Sequence, residues 1–145
     1  FQRPPSTMME FLRPMWYQDM SSWDRKPVPE NFADRFMDIP PTLTDVLGIG
    51  GLIPWLAQPN SSYMARSIAG QWAGDRWALW EFDDGSAAML LETRWQDEKS
   101  ALEFSQSIPE HLFQWLFPHE EGSSTVRILR GSTLAALNRV DPFPK

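Results

Sequence analysis

Asp75-Arg76-Trp77-Ala78-Leu79-Trp80-Glu81-Phe82-Asp83-Asp84-Gly85-Ser86-Ala87-Ala88-Met89-Leu90-Leu91-Glu92-Thr93-Arg94-Trp95 decides the fold. Residues 76–82 are rich in strand formers, and residues 87–95 read as a returning strand. Asp83-Asp84-Gly85-Ser86 between them supplies a turn, with glycine where a positive φ is wanted. The stretch is a β-hairpin. Its side chains alternate, so Trp77 and Leu79 share one face while Ala78 and Trp80 share the other. Large rings on both faces mean that the sheet needs a cover on each side, from its own helices and N-terminal arm or from a partner.

Working outward, Asp97 is placed to cap a helix carrying Ala101, Leu102, Phe104 and Ile108, closed by Pro109. Residues 110–117 read as a short aromatic helix. Residues 125–130 and 133–137, flanking Gly131-Ser132, read as a second hairpin. On the other side, Asn60 or Ser61 starts a helix through Tyr63, Met64, Ile68 and Ala69. Before it, Thr42 or Thr44 caps a helix running through Ile53, with Pro54 bending or ending it. The expected fold class is α+β: an antiparallel sheet of two hairpins with helices packed on it, spanning residues 42–145.

Residues 1–41 differ in kind. They hold Pro4, Pro5, Pro14, Pro27, Pro29, Pro40 and Pro41, seven of the chain's 13 prolines, which disfavours long helices and central strands. An extended Pro/aromatic-rich N-terminal arm follows, with short helical pieces at 8–12 and 30–37. The arm also carries Phe1, Phe11, Trp16, Tyr17, Trp23, Phe32 and Phe36, too many rings for a solvated linker. Either it wraps back onto its own domain or it lies on another protein. Five of the seven methionines (Met8, Met9, Met15, Met20, Met37) favour the second reading, since aromatic and methionine side chains make up interface centres. Phe11, Trp16, Tyr17, Trp23, Phe32 and Phe36 are the candidate partner-binding residues.

The chain has 145 residues, 13 Lys+Arg against 19 Asp+Glu and a net charge of −6. Dispersed arginines in an acidic chain argue against a nucleic-acid partner. The absence of cysteine rules out disulfides, thiolate metal sites and thiol nucleophiles. No apolar run reaches 18 residues, so no transmembrane segment is expected. The sequence starts at Phe1, which leaves room for a signal or anchor segment ahead of it.

No catalytic signature emerges. His111 and His119 are eight apart and lack the four-residue spacing of helical zinc ligands. No serine sits in a nucleophile elbow, and no glycine-rich phosphate loop follows a strand. No metal, cofactor or catalytic residue is assigned. Asp75 and Arg76, between Trp72 and Trp77, read as structural: Asp75 accepts from backbone donors, while Arg76 pairs with a carboxylate such as Glu92 or stacks on tryptophan. Trp72, Trp95 and Asp97 are structural candidates as well. Trp72, Trp77, Trp80, Trp95 and Trp115 could line an apolar pocket, with core packing as the alternative.

Gln71-Trp72-Ala73-Gly74-Asp75-Arg76-Trp77 and Thr93-Arg94-Trp95-Gln96-Asp97-Glu98-Lys99-Ser100-Ala101-Leu102-Glu103-Phe104 resemble a poorly characterised bacterial and archaeal domain family. That family has a W-G-G-D-R-[YW] segment opening a strand and a T-x-W-D-x-x-x-D-A-x-E-F segment entering the next helix. The likeness covers about residues 44–139; Ala73 and Gln96 depart from its usual glycine and aspartate. It implies this fold and an extracytoplasmic, envelope-associated setting, and no established reaction. The expected function is a non-enzymatic accessory or assembly subunit. It would dock through its arm onto protein subunits of a larger, membrane-associated complex, such as an energy-transducing assembly, with membrane-surface contact. The alternative is a carrier of a small hydrophobic ligand in a Trp-lined pocket.

Overall fold

A computed structural model describes residues 26–57, 61–108, 115–117 and 122–141. Strand β1 (Leu43–Asp45) precedes helices α1 (Gly48–Ala57) and α2 (Ser62–Ala69). The long hairpin β2 (Trp72–Glu81) and β3 (Ala87–Trp95) follows, then α3 (Glu98–Ser107), β4 (Trp115–Phe117), β5 (Thr125–Gly131) and the single turn α4 (Leu134–Leu137). The strands form one antiparallel sheet in the order β1-β2-β3-β5-β4. The fold is α+β, with the expected central hairpin: Gly85 takes φ +79° in its turn.

Three local expectations change. The polypeptide around Thr42 and Thr44 caps no helix: it is edge strand β1, where Thr44 donates its hydroxyl proton to the Trp77 carbonyl at 2.9 Å. The pairing partner β2 offers ladder bonds that a Thr-rich extended segment satisfies well. Residues 115–117 form a strand beside β5 where a short helix was expected, while residues 109–114 lie outside the described residues. Residues 125–137 are no hairpin, because Thr133 accepts the Ala136 N–H at 3.0 Å and starts a helical turn. The sheet still holds two hairpins, β2–β3 and β4–β5, but the second pairs residues 115–117 with 125–131 where 125–130 and 133–137 were expected to pair, and β1 joins at the edge.

Each face of the sheet has its own apolar cluster. On the first, Leu91, Trp95, Val126 and Ile128 meet Ile49, Leu52 and Leu56 of α1, Ala65, Ile68 and Ala69 of α2, Ala101 and Phe104 of α3, and Ile108 just after it. Trp95 stacks on Phe104 with ring centroids 4.5 Å apart. On the second face, Ala78, Trp80, Ala88, Leu90 and Leu129 meet Val28, Phe32, Ala33 and Phe36, with Leu137 and Val140 from the C-terminal turn. Phe32 begins a 3-10 turn (Phe32–Arg35) that aims it and Phe36 inward. The C-terminal end is tied to this cover where Asp141 N–H donates to the Phe36 carbonyl at 2.9 Å.

Phe32 and Phe36, candidate anchors for a partner, are each 1 % exposed. Their rings close the chain's own second core, which corrects that assignment. Residues 26–41 thus belong to the packed domain. Phe11, Trp16, Tyr17 and Trp23 lie outside the described residues.

Phe36→Ala should cost about 3–5 kcal/mol in chemical denaturation, as truncation of a buried Phe does. A loss below about 1 kcal/mol would place that ring outside the core.

Candidate functional site

Two buried carboxylates, one on each face, organise the polar contacts at one end of the sheet. The first is Asp75. A register irregularity between Trp72 and Gly74 shifts the alternation of β2, which brings Trp72 and Asp75 to the same face. The Trp72 indole N–H donates to Asp75 Oδ2 at 2.8 Å. The same carboxylate accepts the backbone N–H of Leu47 at 2.6 Å through Oδ1 and of Gly48 at 2.9 Å through Oδ2. Gly48 has φ +69°, which turns the chain into α1 and favours glycine there. Asp75 therefore holds the start of α1 against β2, taking its backbone donors from residues 27 and 28 positions upstream. Burial pushes its pKa up; the Leu47, Gly48 and Trp72 donors and the Arg76 charge pull the other way.

The second carboxylate is Glu92, whose side chain is 2 % exposed on the opposite face of β3. Three guanidiniums converge on it. Arg127 Nε donates to Oε2 at 3.0 Å, Arg35 Nη2 to the same oxygen at 3.2 Å, and Arg94 Nη2 to Oε1 at 3.2 Å. Arg35 and Arg127 also flank the Phe36 ring, 5.3 and 5.1 Å from its centroid. Such charge-assisted bonds keep a buried carboxylate from going uncompensated.

The same arginines hold down the N-terminal cover. Arg94 Nη1 donates to the Pro27 carbonyl at 2.7 Å and Arg76 Nε to the Val28 carbonyl at 3.2 Å. Arg76 faces Glu92 across the strand pair, yet its bond goes to that backbone oxygen, and among the described residues neither the expected carboxylate pairing nor stacking on tryptophan is found. Lys26 Nζ donates to the carbonyls of Trp95 and Gln96 and to Ser124 Oγ at 3.0–3.1 Å. A Cβ on Gly74 would lie 2.5 Å from the Lys26 carbonyl oxygen, so this close approach requires glycine.

Asp97 accepts the Ser100 N–H at 2.7 Å and caps α3; the Ser100 hydroxyl bond and then this backbone bond hold its pKa below the ordinary value. The Trp80 indole donates to the Ile39 carbonyl and the Trp95 indole to Thr93 Oγ1, both at 2.9 Å. These tryptophans, with Trp72, are packed and hydrogen-bonded within the chain. His111 and His119 lie outside the described residues, as do the side-chain surroundings of Trp115. The arginine cluster escaped the sequence reading. Its available signal was the alternation Leu90-Glu92-Arg94, an acid and a base following an apolar residue on one strand face; nothing marked Arg35.

Two outcomes follow from Asp75. Asp75→Asn replaces one acceptor oxygen by a donor facing an N–H, and should destabilise the fold by about 1–3 kcal/mol near neutral pH. With its folded pKa raised above the ordinary 3.8, Asp75 contributes most in acid, and that contribution falls as pH rises through and above 3.8. The stability gap between wild type and variant should narrow over that range in urea denaturation; a widening gap would show that the three N–H donors outweigh burial.

No curated protein and no solved structure matches this chain. A family model described as a domain of unknown function, DUF8575, matches residues 35–119. That span runs from the 3-10 turn at Arg35 past β4, and includes Asp75, Glu92, Arg94 and Asp97. It covers more than half of the sequence, and the chain belongs to the DUF8575 family.

Proposed function

We propose that this chain is a non-catalytic accessory or assembly subunit that docks on a larger protein assembly through residues 1–25. Phe11, Trp16, Tyr17 and Trp23 are the anchors. One observation carries the reading: among the described residues, both faces of the sheet already have apolar covers, the second built around Val28, Phe32 and Phe36. Lys26, directly after residues 1–25 in sequence, is fixed to the domain by three side-chain bonds. Five aromatic residues in so short a segment, Phe1 with the four anchors, are more than a solvated tail carries.

The sequence resemblance supports an envelope-associated setting for the assembly, such as a membrane-bound energy-transducing complex. Among the described residues no helix is long and apolar enough to cross a membrane.

The test replaces Trp16 and Trp23 by Ala in the full chain and follows its comigration with high-mass material in native extracts of its source. Central aromatic anchors are each worth about 2–4 kcal/mol. The double variant should lose comigration while its thermal midpoint stays at the wild-type value. Retained comigration, or a variant that unfolds, contradicts the reading.

A further inference from the structure

We propose that Arg35, Arg94 and Arg127, with Arg76 beside them, form a binding site for a phosphate group, either inorganic phosphate or a small phosphomonoester. The charge count comes first. Three guanidiniums bond to the single carboxylate of Glu92, which leaves two positive charges uncompensated within that group. Arg76, across the strand pair from Glu92, adds another. Arg35 and Arg127 share one carboxylate oxygen and one phenyl ring, so their charges are held close against mutual repulsion. The surplus is no by-product of a basic chain, since the whole sequence carries −6.

Donor geometry points the same way. A guanidinium has five N–H donors. Arg127 and Arg76 each spend only Nε on the described residues, which leaves both terminal nitrogens of each for another acceptor. The arginine side chains are 24–45 % exposed at Arg127, Arg94 and Arg35, while Glu92 beneath them is 2 % exposed. From solvent the cluster therefore presents guanidinium edges over a buried carboxylate. Arg76, Arg94 and Arg127 stand on adjacent strands β2, β3 and β5, a rigid base of the kind that keeps recognition groups in place.

A phosphate group fits this arrangement better than a single carboxylate does. It carries about −1.5 to −2 charge at neutral pH and three acceptor oxygens, and the guanidinium fork matches its geometry. A nucleic-acid backbone would need basic groups extended along a stripe, whereas these arginines converge on one point.

The test is titration of the full chain with inorganic phosphate and with phenyl phosphate, at ionic strength held constant with chloride, read by calorimetry and by thermal midpoint. Saturable binding tighter than about 1 mM, with a raised midpoint, is expected for at least one of the two. Preference between them distinguishes the free ion from a monoester. Arg35→Gln, chosen because Arg35 is the most exposed member, should weaken binding about tenfold or more. Arg130→Gln, on the opposite face of β5, should leave it unchanged. No saturable binding to the wild type, or equal affinity in Arg35→Gln, overturns the proposal.

Discussion

A sheet that is apolar on both faces must be covered on both faces, and the rest of this structure answers that constraint. The β2–β3 hairpin sends Leu91 and Trp95 to one side and Ala78, Trp80 and Leu90 to the other. Helices α1, α2 and α3 supply the first cover. No helix of comparable length is described over the second, where the cover is a 3-10 turn, flanking extended chain and a C-terminal turn. An extended segment makes few contacts of its own and must be fastened by the sheet it covers.

The polar groups do that fastening. Asp75 ties the start of α1 to β2 on the first face. On the second, Arg94 and Arg76 grip the carbonyls of Pro27 and Val28, Arg35 reaches Glu92 from the cover, and Lys26 locks onto the end of β3. Each buried carboxylate thus holds, directly or through its arginines, one cover in register. The surplus of guanidiniums around Glu92 exceeds what fastening requires and gives that corner a capacity for an anion.

What the sequence made legible was whatever depends on local chemistry. The hairpin turn at Gly85, the caps at Ser61 and Asp97, and the demand for two covers all follow from residue type and spacing. What stayed hidden depends on distant pairing. Thr42 and Thr44 look like helix caps until β2 is available as a partner, and Thr133 looks like a strand residue until its hydroxyl is seen to cap a turn. Phe32 and Phe36 look like interface anchors for the same reason that they make good core: an apolar ring does not say which surface it buries against. The Glu92 cluster draws arginines from a turn and two strands far apart in the chain, beyond the reach of any spacing rule.

That residues 26–41 belong to the fold is the claim on which the proposed use of residues 1–25 by a partner rests. Equilibrium urea denaturation of two shortened chains, one starting at Lys26 and one at Asp38, tests it most directly. The first should match the full chain within about 0.5 kcal/mol. The second, lacking Val28, Phe32, Ala33 and Phe36, should lose more than about 5 kcal/mol or fail to fold cooperatively. Equal stability of both shortened chains, or collapse of the first, would contradict the account.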